Sequence, residues 1–196
     1  MDVQPDKQNI DKVFSSTVYY IDFYQRQYKW DNVPVNRLLD DIFYKFNEEE
    51  ARYRHIQLPI EQLVEKYAWY YLNTYVVNKD SDTGRIYIVD GQQRLTTLML
   101  IAIRLRHMAK AYESDLEDWI SQKISGVQGY KRTFWMNHEQ HIPTIKALFE
   151  GSEDIPEGEG ITGKNMKLNY ELISKRLEKE LSDKRRFECF VFYFLL

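Results

Sequence analysis

Asp90, Gly91, Gln92, Gln93 and Arg94 place a carboxylate, a glycine, two amides and a guanidinium side by side. They stand between a strand-like run, residues 85–89, and a long apolar segment that opens Leu95-Thr96-Thr97-Leu98. A strand that turns sharply into a helix gathers unpaired backbone N–H groups and the positive end of the helix dipole at one point. That point attracts anions, phosphate above all. Each side chain has a use there. Gly91 lets a ligand approach the backbone, and Arg94 can fork two hydrogen bonds onto phosphate. Asp90 could hold Mg²⁺ or a ribose hydroxyl, or polarise water. Gln92 or Gln93 could orient an attacking water. A purely structural turn stays open beside this reading, with Asp90 as helix cap, Gly91 at the bend and Arg94 in solvent. Neither glutamine is needed for such a cap.

A second polar-aromatic cluster, Tyr24-Gln25-Arg26-Gln27-Tyr28-Lys29-Trp30, has no helical or strand period. Arg26 could meet a phosphate, and Tyr24, Tyr28 or Trp30 could stack a base. The alternative is a loop whose aromatics pack into the core, which suits Trp30, next to a helix start. Asn137-His138-Glu139-Gln140-His141 carries two histidines with no further ligand in view, and reads as a polar loop before Pro143 rather than a metal site. Glu61, Glu65 and Lys66 fall on the solvated face of an expected helix.

The elements that must position these residues follow from hydrophobic periodicity. Asp31 is an N-cap and Pro34 sits in the first turn of a helix burying Val35, Leu38, Leu39, Ile42, Phe43 and Phe46, and ending in the run 48–50. A helix is expected over 60–70, a strand over 71–77, a turn over 78–84 and a strand over 85–89, the two strands forming a hairpin. The helix from residue 95 to about 111 is apolar on most of its circumference and therefore central. Residues 114–150 read as helical pieces and loops, 152–165 as a surface loop, and 169–181 as a helix. The pattern is α+β: a small mixed sheet, a central buried helix after the turn, then helical segments.

Of the 196 residues, 43% are hydrophobic, enough for a real core. A net charge of −3 argues against a generally basic nucleic-acid-coating protein and leaves room for a local basic groove. The single cysteine, Cys189, cannot form an internal disulfide, which fits a reducing, cytoplasmic setting. The longest apolar run, residues 190–196, is far shorter than the roughly 20 residues a membrane span needs, so no membrane partner is expected. Because the chain ends inside this run, the favoured expectation is the N-terminal part of a longer protein. A C-terminus tucked into the fold is the alternative.

Three ordered segments carry a resemblance. Residues 21–30, Ile-Asp-Phe-Tyr-Gln-Arg-Gln-Tyr-Lys-Trp, resemble the pattern Ile-Pro-x-Tyr-Gln-Arg-x-Tyr-x-Trp. Residues 71–77, Tyr-Leu-Asn-Thr-Tyr-Val-Val, resemble Phe-Leu-Gly-Ser followed by apolar residues. Residues 88–98, Ile-Val-Asp-Gly-Gln-Gln-Arg-Leu-Thr-Thr-Leu, match a hallmark almost letter for letter. The family is the N-terminal domain of GmrSD-type restriction endonucleases. It is similar to the ParB/sulfiredoxin superfamily, whose Asp-Gly-x-His-Arg turn stands in the equivalent place. Asn169-Tyr170-Glu171 resembles a weaker downstream feature. Asp22 stands where the pattern has proline and Asn73 where it has glycine; Asn tolerates positive φ better than most residues, so that turn survives.

The resemblance implies a ParB/sulfiredoxin-like nucleotide-binding core over 1–112 and a mostly helical extension over 113–196. It implies binding and hydrolysis of a nucleoside triphosphate with Mg²⁺, regulating an anti-phage restriction system. Asp90, Gln92, Gln93 and Arg94 are the implied catalytic residues, with Asp90 as the Mg²⁺ ligand. Tyr24, Gln25, Arg26, Gly91, Arg94 and Thr97 are the implied nucleotide-binding residues. The implied partners are DNA, met through the full-length protein, and a C-terminal nuclease domain or subunit that this chain lacks. Two other functions stay open: a nucleotide-binding switch with little turnover, and a ParB-like DNA nuclease.

Overall fold

A computed structural model describes residues 4–21 and 27–196. Tyr24, Gln25 and Arg26 of the aromatic-arginine cluster therefore lie outside the described residues. After a short helix α1 (Ile10–Val13) and strand β1 (Tyr19–Tyr20), helix α2 (Asn32–Tyr53) begins where the sequence places it. The Asp31 side chain accepts a hydrogen bond from Val33 N, and the six expected apolar residues are buried. The helix runs past the acidic stretch 48–50 because Glu49 is buried and ion-paired there. It pairs with Lys45 at 3.2 Å and Arg52 at 3.0 Å, and accepts from Ala68 N at 2.9 Å.

Helix α3 (Ile60–Val64) is half the expected length, and strand β2 (Val76–Lys79) starts five residues later than expected. The cause of the late start is local. Asn73 takes a left-handed conformation, φ 75°, and its side chain accepts from Thr74 N, which breaks the extended run. The expected hairpin forms: β2 pairs antiparallel with β3 (Ile86–Asp90), around a turn in which Asp80 accepts from the backbone of Asp82 and Thr83. Helix α4 (Gln92–Ala111) follows, buried from Leu95 to Ile103 without a break, as its apolar circumference requires.

Residues 114–150 hold more than helices and loops. Helix α5 (Glu117–Gln122) is followed by the hairpin of β4 (Ser125–Gln128) and β5 (Lys131–Phe134), and then by β6 (Met136–Asn137). A 3-10 turn, Glu139–His141, leads into helix α6 (Ile142–Glu150). The strands are too short to show a period, and β6 is defined by a partner more than a hundred residues away, β1. The larger sheet has the order β2-β3-β1-β6, with β3, β1 and β6 parallel. Helix α7 (Thr162–Glu180) starts seven residues before the expected helix, and helix α8 (Lys184–Leu195) closes the fold with Asp183 as its N-cap. The architecture is α+β with a small mixed sheet, and no helix among the described residues is long and apolar enough to cross a membrane.

Helix α7 packs along α4. His107 on α4 links the two and also reaches α6. Its Nε2 donates to the Phe149 carbonyl at 2.9 Å, so its Nδ1 accepts from the Tyr170 hydroxyl at 2.7 Å. At the other end of the core, Phe190 of α8 stacks on Phe43 at 4.6 Å between centroids and meets Phe46 edge-on at 5.2 Å. Phe190 is fully buried, so its loss leaves a cavity between α2 and α8. Phe190→Ala is expected to lower unfolding free energy in urea by about 3–5 kcal/mol, with a similar loss on Phe43→Ala because the two rings share one contact.

Candidate functional site

Strands β3, β1 and β6 are parallel, so their C-terminal ends lie along one edge of the sheet. Chain segments leaving that edge are where an open sheet with parallel strands presents its ligand site. The segment carrying Tyr28 and Trp30 follows β1, the turn 90–94 follows β3, and the turn 138–141 follows β6. Topology thus brings together segments that are far apart in sequence.

The turn is built on Gly91, the N-cap of α4, at φ 89° and ψ 1°. This left-handed geometry favours glycine. A second constraint is steric: a Cβ on Gly91 would lie 2.7 Å from Tyr75 Cβ and 3.1 Å from Tyr75 Cα. The space beside Gly91 is filled by the second motif, residues 73–75. The N-cap is Gly91 and no side chain caps the helix, so Asp90 is not its cap. Asp90 is exposed at the end of β3 and has no ion-pair partner among the described residues. Arg94 is half-buried; its Nη1 donates to the Thr74 carbonyl at 3.2 Å, and no carboxylate pairs with it among the described residues.

The two glutamines part company. Gln92 is buried in the first turn of α4. Gln93 grips the first motif with both ends of its amide: Oε1 accepts from Lys29 N at 2.7 Å and Trp30 N at 3.1 Å, and Nε2 donates to the Gln27 carbonyl at 3.0 Å. Thr97 is wholly buried and faces the same segment. Its hydroxyl donates to the Gln93 carbonyl at 2.9 Å, so the Tyr28 hydroxyl, 2.8 Å away, must donate to Thr97. Tyr28 is itself fully buried, and burial pushes its phenol up to about 12. It is therefore a structural donor rather than a base-stacking surface. Trp30 packs against the core, as its place beside a helix start suggested.

Three residues of α7 complete this arrangement and were not read as site residues from sequence. Thr162 Oγ1 accepts from Tyr28 N at 3.0 Å, Asn165 Nδ2 donates to the Tyr28 carbonyl at 3.0 Å, and Asn169 Nδ2 donates both to Tyr28 Oη at 3.0 Å and to the Trp30 carbonyl at 2.8 Å. Their helical spacing was the available signal. It was obscured by Gly163 and Asn165, which made the first turn of α7 look like loop.

His138 and His141 are buried rather than part of a polar loop. His138 Nε2 lies 2.9 Å from Thr96 Oγ1 on α4, and burial pushes its imidazole down to about 3. Burial also lowers His107 and His141. No group of three or more His, Cys, Asp or Glu side chains is placed to hold a metal among the described residues. An open surface groove of about 440 Å³, lined by Leu168, Leu172 and Lys175, lies on α7 and contains none of the three motifs.

Two outcomes follow from this geometry. Gly84 also has positive φ, 68°, but nothing lies within 4 Å of its absent Cβ. Gly84→Ala is expected to lose about 1 kcal/mol from backbone strain alone, and Gly91→Ala about 2–4 kcal/mol because overpacking against Tyr75 is added. Equal urea midpoints for the two variants would contradict the steric argument. The second concerns acid. The folded state holds His138 neutral down to about pH 3, whereas the unfolded chain binds that proton near 6.5, so stability falls as pH drops below 6.5. Between pH 7 and 5 the group accounts for about 2 kcal/mol of loss. His138→Gln is expected to unfold more readily at pH 7 and to show a pH dependence flatter by that amount.

No curated protein matches the chain at a significant level. The model of the GmrSD restriction endonuclease N-terminal domain matches residues 7–194, nearly its whole length. The convergence of the three motifs on the first turn of α4 and this match agree, and the chain belongs to the GmrSD restriction endonuclease N-terminal domain family.

Proposed function

We propose that the first turn of α4 binds the phosphates of a nucleoside triphosphate and promotes its hydrolysis, as the regulatory part of a phage-restricting nuclease system. One observation carries this reading. Three separated segments close on a helix start that has no side-chain cap, and they leave there an exposed carboxylate, Asp90, and a guanidinium, Arg94, without an ion pair among the described residues. Among those residues neither charge is used in an ion pair, so both can meet a ligand.

In this reading Arg94 meets phosphate oxygens, with its orientation held by the Thr74 carbonyl. Arg26, Tyr24 and Gln25 belong to the same proposal as nucleotide-binding residues. Mg²⁺ suits the donors present, since it is commonly held by one or two carboxylates plus substrate phosphates and keeps several waters. Asp90 would hold it, and the ion would neutralise phosphate charge. Gln93 acts indirectly by fixing the segment 27–30. Thr97 contributes through Tyr28. A ParB/sulfiredoxin-like core, a cytoplasmic setting, and a C-terminal nuclease domain or subunit acting on DNA belong to the same proposal. Membership of a family of restriction endonuclease N-terminal domains supports the last of these.

Phosphate release from ATP and GTP with Mg²⁺ tests the reading. Arg94→Ala is expected to lower the rate on the order of a hundredfold, with partial recovery in Arg94→Lys. Unchanged hydrolysis in Arg94→Ala would overturn the assignment. Saturable nucleotide binding without phosphate release would make the site a switch instead.

A further inference from the structure

Thr162, Asn165 and Asn169 occupy positions i, i+3 and i+7 of α7, a single stripe of the helix. The stripe is polar, yet Thr162 and Asn169 are 2% exposed. Buried polar side chains persist where their hydrogen bonds are made, and all three make theirs to one short segment. Residues 27–30 have no helix or strand of their own. From α4, Gln93 takes the Gln27 carbonyl and the N–H groups of Lys29 and Trp30. From α7, Thr162 takes the Tyr28 N–H, Asn165 the Tyr28 carbonyl, and Asn169 the Trp30 carbonyl together with the Tyr28 hydroxyl. At the N-terminus of α7, Ile161 N donates to Gln27 Oε1 at 3.1 Å. Among the described residues, the segment is thus held between two helices by hydrogen bonds that each involve a side chain.

We propose that α7 is the second jaw of this clamp and that Asn169 is a positioning residue for the site on α4: it fixes the segment that walls the turn 90–94 and so sets nucleotide affinity from a helix that does not carry the turn. Asn169 suits this role because both amide hydrogens are committed, one to the side chain and one to the backbone of the same segment. The inference rests on the nucleotide reading of that turn.

The test combines peptide-level hydrogen exchange with Mg·ATP and Mg·GTP titrations on the 196-residue chain. Asn169→Ala is expected to speed exchange of residues 27–30 about tenfold and to weaken binding of the preferred nucleotide about tenfold, while exchange within α8 is unchanged. Thr162→Val, which removes only the acceptor for Tyr28 N, moves both readouts in the same direction by less, and serves if Asn169→Ala does not fold. Faster exchange with unaltered affinity would overturn the positioning role and leave the nucleotide reading standing. Unaltered exchange would overturn the clamp, again without touching that reading. Failure of the wild-type chain to bind either nucleotide would overturn both.

Discussion

Burial of α4 on nearly all sides is the constraint on which the rest of the structure depends. A helix with apolar residues around its circumference cannot lie on a surface. The sheet meets it at β6, α7 runs along it, and α5 packs on it as well. Held from several directions, its N-terminus cannot drift. That is what allows a turn of a few residues to keep a defined geometry at the sheet edge. His107 shows how polar groups are fitted into such an environment: each ring nitrogen has one partner, on different elements, and the tautomer follows from the carbonyl that Nε2 must face.

The turn itself is shaped by close approach as much as by helix geometry. Tyr75 occupies the space where a side chain of residue 91 would stand, so the second motif is pressed onto the third. The first motif is held differently, by amides and hydroxyls. The proton order Asn169 to Tyr28 to Thr97 to the Gln93 carbonyl leaves the hydroxyls of Tyr28 and Thr97 each with a defined donor and acceptor role. Such a network is worth more in a dry interior than at the surface, and a half-satisfied version would be worse than none. This network is formed by the described part of the motif, Tyr28 to Trp30.

Much of this was legible in the sequence, for local reasons. Asp31 capped the helix its spacing promised, α4 was central because its composition left no polar face, and Asn73 took the positive φ expected of a residue standing for glycine. The first motif was expected to share a site with the turn, and the Gln93 hydrogen bonds to residues 27–30 give that meeting detail; the close approach of Tyr75 to Gly91 was not foreseen. What sequence could not show depends on distant partners. Strand β6 has two residues and is a strand only because β1 lies beside it. His138 looked like loop because its burial comes from Thr96 and the packing of α4, not from its neighbours in the chain. The early start of α7 was hidden by glycine and asparagine, residues that usually mark turns; here Asn165 and Asn169 find their partners on Tyr28 and Trp30.

The wide sequence separation of the clamp has a consequence for how the protein is made. Tyr28 is bonded to residues 134, 137 and 141 positions further along the chain. During synthesis, the N-terminal motif leaves the ribosome long before α7 exists. Strands β1 and β3 and helix α4 can begin to pack while residues 27–30 still lack half their hydrogen-bond partners. The site is therefore among the last parts of the fold to be completed, although its first residues are among the earliest translated. A nascent chain that stops before Asn169 would display the turn without the jaw that closes on it.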